Sequence, residues 1–537
     1  MTGVGNMVSM VYELLNRRWK ATAKLIFGEE VGELKDYEEW LLSSNKTTFS
    51  RKSSLSGKEV AFVFPHYPKS AGTLSLDEVD FNKKFEPLSI NDVKDIDSII
   101  GALGERVSYT GDIHLGNSQF VEGSTDVIDS FYIMDSVQLI SCKHIAYGYN
   151  MEYSNDIFGT MNIGYCNYAI KLSNSGNLAR CFELHTCQES SDCYYSHSIY
   201  NCKNCMFCFN LRSTNYAIGN LPLPPDKFLS LKKKLLQEMA GDLKTNKRLP
   251  NLMEIIGESE PDHEISSRIG QSPPSRQLSH KRPELVEEAF EKATEVLFGR
   301  GLKDLENYET WLNAFTRKTK RCKSAISGQE IIVPDQGLIS QFPENRLVNE
   351  EESMALNGML GLGPQELSDF SFKNASSRLG KIAFFCPGMN HGKVSNAIES
   401  QINIDATNCF RSILNIESKN SAYNYYILQS ESAFGCNSIR KSRFVVRCYL
   451  SSDLTRAFEV DSSRDCSDIY FSHNCENVRD SMFCFNTKNK NRAIGNSELP
   501  REKYSGIKAK VLEDLISELE RGHGLDLSIY NIPGKGA

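Results

Sequence analysis

Between residues 137 and 220 the apolar positions fall in short clusters: Val137-Gln138-Leu139-Ile140, Ile157-Phe158, Tyr168-Ala169-Ile170, Tyr194-Tyr195, Met206-Phe207 and Tyr216-Ala217-Ile218. Asn, Asp, Ser and Gly separate them, at intervals of roughly 11 residues, and no cluster extends into a helical period. Short strands divided by turns are the expectation, stacked as a β-solenoid or folded as a meander of hairpins. The abundance of Ser, Asn and Cys favours the solenoid, where small or amide side chains form ladders between successive rungs. Helical periodicity appears on either side, at 8–26 and 225–243, and again at 284–297 and 501–521. The pattern therefore predicts a mainly β chain with helical caps, an α+β fold whose terminal helices cover the open edges of the solenoid.

The two sets of helices frame an internal repeat. Ser191-Asp192-Cys193-Tyr194-Tyr195-Ser196-His197 returns as Ser467-Asp468-Ile469-Tyr470-Phe471-Ser472-His473, and Met206-Phe207-Cys208-Phe209-Asn210 as Met482-Phe483-Cys484-Phe485-Asn486. Both lie 276 positions apart, and 11 of the 20 residues in 191–210 are identical at that offset. Upstream, Phe27-Gly28, Tyr37, Trp40, Lys52-Ser53 and Ser56-Gly57 match Phe298-Gly299, Tyr308, Trp311, Lys323-Ser324 and Ser327-Gly328 at an offset of 271. Two tandem copies follow from this. Copy one has a helical segment and hairpin at 1–60, then a solenoid with its closing helix at 61–243. A Pro-, Ser- and charge-rich linker fills 244–282. Copy two repeats the order at 283–332 and 333–521, and 522–537 is a tail.

Hydrophobic residues make up 40% and charged residues 24% of the 537-residue chain, ordinary values for a globular protein. The formal net charge is −7, from 61 Lys+Arg against 68 Asp+Glu, which disfavours general nucleic-acid binding. No apolar run reaches the roughly 18 residues of a membrane helix, so no membrane role is expected. The N-terminus lacks a secretory pattern, which points to a cytoplasmic protein or one packaged from the cytoplasm into a virion.

The 16 cysteines raise the question of metal. Cys202-Lys203-Asn204-Cys205 is a Cys-x-x-Cys knuckle, with Cys208 three residues on and Cys193 and His197 just upstream. Thiolates and an imidazole at such spacing suit a tetrahedral zinc. At the matching positions the second copy has Ile469, His473, Val478, Ser481 and Cys484, so zinc is open to copy one only. Elsewhere cysteines face Ser, Ala, Thr, Leu or Ile across the repeat, as with Cys142 and Ser418 or Cys436 and Thr160. That interchange suits reduced thiols at small buried positions better than disulfides or metal ligands, and no cofactor is expected.

Arg180, Glu183, Asp192 and His197 recur as Arg456, Glu459, Asp468 and His473. Lining one open face, they would form an acid/base set of the kind carbohydrate-active β-helix enzymes use, with arginine orienting an anionic sugar. Taken structurally, Asp192 makes a turn, Glu183 and Arg180 form an ion pair, and His197 is hydrogen-bonded within a rung. The Tyr37/Trp40 and Tyr308/Trp311 pairs read as core contacts. No phosphate-binding glycine loop and no His-Glu-x-x-His motif is present.

The run Asn201-Cys202-Lys203-Asn204-Cys205-Met206-Phe207-Cys208-Phe209-Asn210-Leu211-Arg212, followed by Tyr216-Ala217-Ile218-Gly219-Asn220 and Leu223-Pro224-Pro225-Asp226-Lys227-Phe228, resembles uncharacterised Cys-rich pseudo-repeat proteins of candidate-phyla bacteria, archaea and tailed phages. The likeness covers the last third of each copy and implies a solenoid-like fold without a particular activity. Members of that group carry a Cys-x-x-Cys zinc ribbon ahead of the repeats. The corresponding hairpins, 51–60 and 321–331, hold only Cys322, so that metal does not carry over. A non-catalytic structural or binding protein is expected, with a protein partner or self-assembly. A carbohydrate-active β-helix enzyme is the alternative, and zinc-assisted nucleic-acid binding the third.

Overall fold

The computed structural model describes residues 9–43, 48–86, 88, 95–159, 161–257, 259–261, 264–265, 284–335 and 337–532. It is mainly β, with two large sheets of parallel strands and a minority of helices. In the first sheet Val137 pairs with Tyr149 and Tyr149 with Met161, while Phe131 pairs with Lys143 and Lys143 with Asn155. Each strand thus meets the one 12 residues away, and two strand columns interleave. The second sheet repeats this through Ile413, Tyr425, Asn437 and Tyr449, and through Lys419, Glu431 and Arg443. The expected interval of about 11 is corrected to 12, with a strand starting every six.

Every third residue carries the fold. Gln138, Ser141, His144, Tyr147, Asn150, Tyr153 and Asp156 all have φ between 51° and 61°, and the same spacing runs through the second stack. Each left-handed residue turns the chain, giving four corners per coil. That conformation costs roughly 1–2 kcal/mol for an ordinary L-residue, and Asn, Asp and Gly reduce the cost. Here the ladder imposes it even on β-branched Ile402 (φ 59°).

The residue after each corner points inward. Val127, Ile133, Leu139, Cys142, Ile145, Met151 and Ile157 form the interior of the first stack. Ile427, Ala433, Cys436, Ile439, Val445 and Cys448 do so in the second. Inward serines span two coils. Ser136 Oγ donates to the Met134 carbonyl (2.7 Å) and accepts from Gly148 N (2.9 Å), and Ser472 bonds Tyr470 O (2.9 Å) and Cys484 N (3.0 Å) in the same way. Cysteine thiols reach the same carbonyl, as Cys142 Sγ does to Ile140 O (3.3 Å). The Ser/Cys interchange follows from that shared geometry.

The helices Met10–Phe27 and Glu284–Phe298 were expected to cap ends, and this is corrected: each lies along one flank of a stack. Trp19 meets Phe158 (5.3 Å between ring centroids) and Phe27 meets Phe182 (5.2 Å); Phe290 meets Phe434 (5.1 Å) and Phe298 meets Phe458 (4.9 Å). Glycine occupies the corner where the following helical turn comes closest. A Cβ on Gly159 (φ +67°) would lie 2.9 Å from Leu41 O, and one on Gly435 (φ +64°) 2.8 Å from Leu312 O. The helices Pro225–Asn246 and Arg501–Gly522 follow the last strands, as expected.

The compact units are each assembled from three separate stretches of the chain. One contains 1–48, 114–275 and 320–388; the other contains 49–113, 276–319 and 389–537. Each unit is a coil stack, its flanking helix, and an insert from the other half of the chain. The hairpins form as predicted, Phe49–Lys52 with Glu59–Phe62 and Thr319–Lys323 with Glu330–Pro334. Their recurring serines tie the turn: Ser53 Oγ accepts from Leu55 N and donates to Glu78, and Ser324 Oγ accepts from Ile326 N and donates to Glu352. The expected linker begins later than 244, because helix extends to Asn246 and again over Leu252–Ile256; its Pro-Ser part, 266–282, lies outside the described residues. Within the described part of the expected tail, Leu527, Ile529, Tyr530 and Ile532 are instead core, buried in the second unit.

Candidate functional site

The four recurring polar residues take up three places. Arg180 and Asp192 stack on one corner, 12 residues apart, in a two-pronged ion pair: Nε to Oδ1 2.8 Å and Nη2 to Oδ2 2.7 Å. Arg456 and Asp468 repeat it at 2.7 and 2.5 Å. Burial works against the Asp192 charge, but Arg180 outweighs it and holds the carboxyl below its ordinary range. The expected Glu183–Arg180 pair is therefore corrected, since Arg180 belongs to Asp192.

Glu183 and Glu459 sit on the next corner, fully buried. Glu459 pairs with Arg447 one coil earlier and accepts from Ile529 N at 2.9 Å. Arg447 also donates to the Trp311 carbonyl and lies 5.0 Å from the centroids of the Trp311 and Phe315 rings. In the first unit Lys171 holds the matching corner, donating Nζ to Trp40 O and Ser43 Oγ, both at 2.9 Å. A buried cation thus anchors each Trp segment to its stack. Matching identical residues missed this pair, because lysine stands opposite arginine.

His473 completes a buried network. Its Nδ1 lies 2.7 Å from Asp461 Oδ2, and its Nε2 accepts from Thr110 N at 2.8 Å. A backbone donor on Nε2 places the proton on Nδ1, directed at Asp461. Tyr67 OH donates to the same carboxylate at 2.8 Å and Tyr530 OH to its other oxygen at 3.3 Å. A His-Asp pair can hold or pass a proton, but His473 and Asp461 are both 0% exposed. In the first unit His197 Nε2 accepts from Cys386 N at 2.8 Å, and His185 stands where Asp461 does. Burial, and then the neighbouring His185, hold His197 well below the usual imidazole range. His197 was expected to bond within its rung; its partner comes from the insert.

Cys193, Cys202, Cys205 and Cys208 all point into the interior of the first stack. Their thiols donate to backbone carbonyls, Cys193 to Ser191 O (3.1 Å), Cys202 to Tyr200 O (3.2 Å) and Cys208 to Met206 O (3.3 Å), and burial pushes the neighbouring Cys187 up to about 12. His197 projects from the outer side of its strand, against Phe342 and Phe385, and does not join them. Among the described residues no group of three or more His, Cys, Asp and Glu is placed to hold a metal.

An open groove of about 620 Å³ crosses the last coils of the second stack. Asp453, Asp465, Asn477 and Asn489 line it as one corner column, with Thr455, Ser467, Arg479, Glu476 and Lys488 beside them. Lys488 pairs with Glu476 at 2.6 Å and Asn477 Nδ2 donates to Asn489 Oδ1 at 2.7 Å. The lining mixes donors and acceptors and contains no aromatic ring. Composition gave no signal for it, because its residues are 12 apart.

No family model matches the chain, and no curated protein or solved structure is significantly similar to it. Among the described residues no helix is long and apolar enough to cross a membrane.

Proposed function

We propose that the chain is a non-catalytic binding or scaffold protein built from two duplicated β-solenoid modules, engaging a protein partner or a larger assembly through its outer coil surfaces. One observation carries the reading: each recurring acid or base residue is either buried against a fixed partner or paired along a corner, as His473 is by Asp461 and Thr110 N and Arg456 by Asp468. Polar groups buried against fixed partners specify packing rather than turnover. The open polar groove over 453–489 is the contact surface this reading selects.

The test compares the intact chain with Asp465→Ala/Arg479→Ala/Lys488→Ala, after circular dichroism shows equal folding. The reading expects a defined partner from the native source that the wild type retains and the groove variant loses. Polysaccharide turnover abolished by His473→Gln in a folded protein would overturn it.

A further inference from the structure

We infer that the two halves of the chain, 1–275 and 276–537, are a reciprocally exchanged pair, in which each half's insert is the docking partner of the other half's coil stack. The halves then hold together without the peptide link between them. Insert 49–113 lies in the unit of the second stack, and insert 320–388 in that of the first.

The contacts are the same in both directions. Thr110 N donates to His473 Nε2 and Cys386 N to His197 Nε2, both at 2.8 Å. Asn486 Nδ2 donates to Ser108 O and Asn210 Nδ2 to Phe384 O, both at 2.9 Å. Residues 108 and 110 precede 384 and 386 by 276, the offset that relates the stacks. At the last corner Gly495 faces Leu103 and Gly219 faces Leu362. The docked faces are buried and aromatic, with Tyr67 and Tyr109 against His473 and Phe342 and Phe385 against His197. Exchange of like elements between like halves is the connectivity of a domain-swapped dimer, here written in one chain. It goes beyond the binding reading above, and its failure would leave the groove as it is.

Co-expressing 1–275 and 276–537 as two polypeptides keeps every residue and breaks one peptide bond. The untagged half is expected to co-purify one-to-one with the tagged half and elute with the full chain. Dilution should not separate them. In urea, separation should coincide with loss of hydrogen-exchange protection around 108–110 and 384–386. Halves that purify apart as folded monomers, or that part in high salt with those amides still protected, would overturn the inference. Should the split pair not fold, the full chain with a protease site placed between 266 and 283 is cleaved after folding. Two half-sized species would then overturn it, and a single full-sized one would support it.

Discussion

Glu459→Gln isolates the buried charge pair at the corner of the second stack. The Arg447 side chain is 2% exposed and that of Glu459 0%, so the substitution leaves a guanidinium without its counter-charge and without water. Removing one partner of such a pair costs about 3–5 kcal/mol. Glutamine keeps an acceptor for Ile529 N, and Arg447 keeps the Trp311 carbonyl and two ring faces, which places the expected cost near the lower figure. A loss of about 3 kcal/mol is more than a hundredfold in the local opening constant. Arg447→Met/Glu459→Gln removes both charges and should cost about 1 kcal/mol, roughly 2 kcal/mol less than Glu459→Gln alone. Two compact units need not unfold in one step, so native-state hydrogen exchange over 445–461 and at Ile529 is the assay. A single-variant cost below about 1 kcal/mol, or a double variant equal to the sum of its parts, would refute the reasoning.

Two further outcomes concern a buried imidazole and an inward serine. His197 stays neutral in the fold, while the unfolded chain takes up its proton below about pH 6.5, so the stability it confers is lost as pH falls. Asp135, lifted to about 6 by burial, acts in the opposite sense, adding stability as pH falls from 6 toward 3.8. The measurement is therefore the wild-type minus His197→Gln difference in urea stability, expected to change by about 1–2 kcal/mol between pH 7 and 5; a flat difference would refute it. Ser472→Ala leaves Cys484 N without its acceptor and should cost about 1–3 kcal/mol, with Ser472→Cys less damaging. Equal thermal midpoints for wild type and Ser472→Ala would contradict the two-coil role of the inward serine.

The strand-rich blocks, the four long helices and the hairpins were legible because each depends on a local pattern. The period was not. Apolar clusters at uneven intervals suggested about 11, whereas the pairing of Val137 with Tyr149 sets 12. The underlying signal has a period of three, with small or aliphatic residues such as Ser136, Leu139, Cys142 and Ile145. It matches neither a strand's alternation nor a helix's 3.6, because every third residue is left-handed. The site was harder still. Arg180, Glu183, Asp192 and His197 recur together in sequence, but Arg180 and Asp192 share one corner, Glu183 takes the next, and His197 projects from a strand against the insert.

The sequence by itself determined the strand-rich blocks: small or aliphatic residues at the inward positions, interchangeable Ser and Cys among them, and an aromatic flank matched to an amphipathic helix. Only tertiary structure decided which stack each insert covers. The two docking faces carry like residues, His197 and Asn210 on one and His473 and Asn486 on the other, so local preference cannot choose between them. The choice falls to the path of the connecting chain and the burial it permits, and neither is written at any single residue.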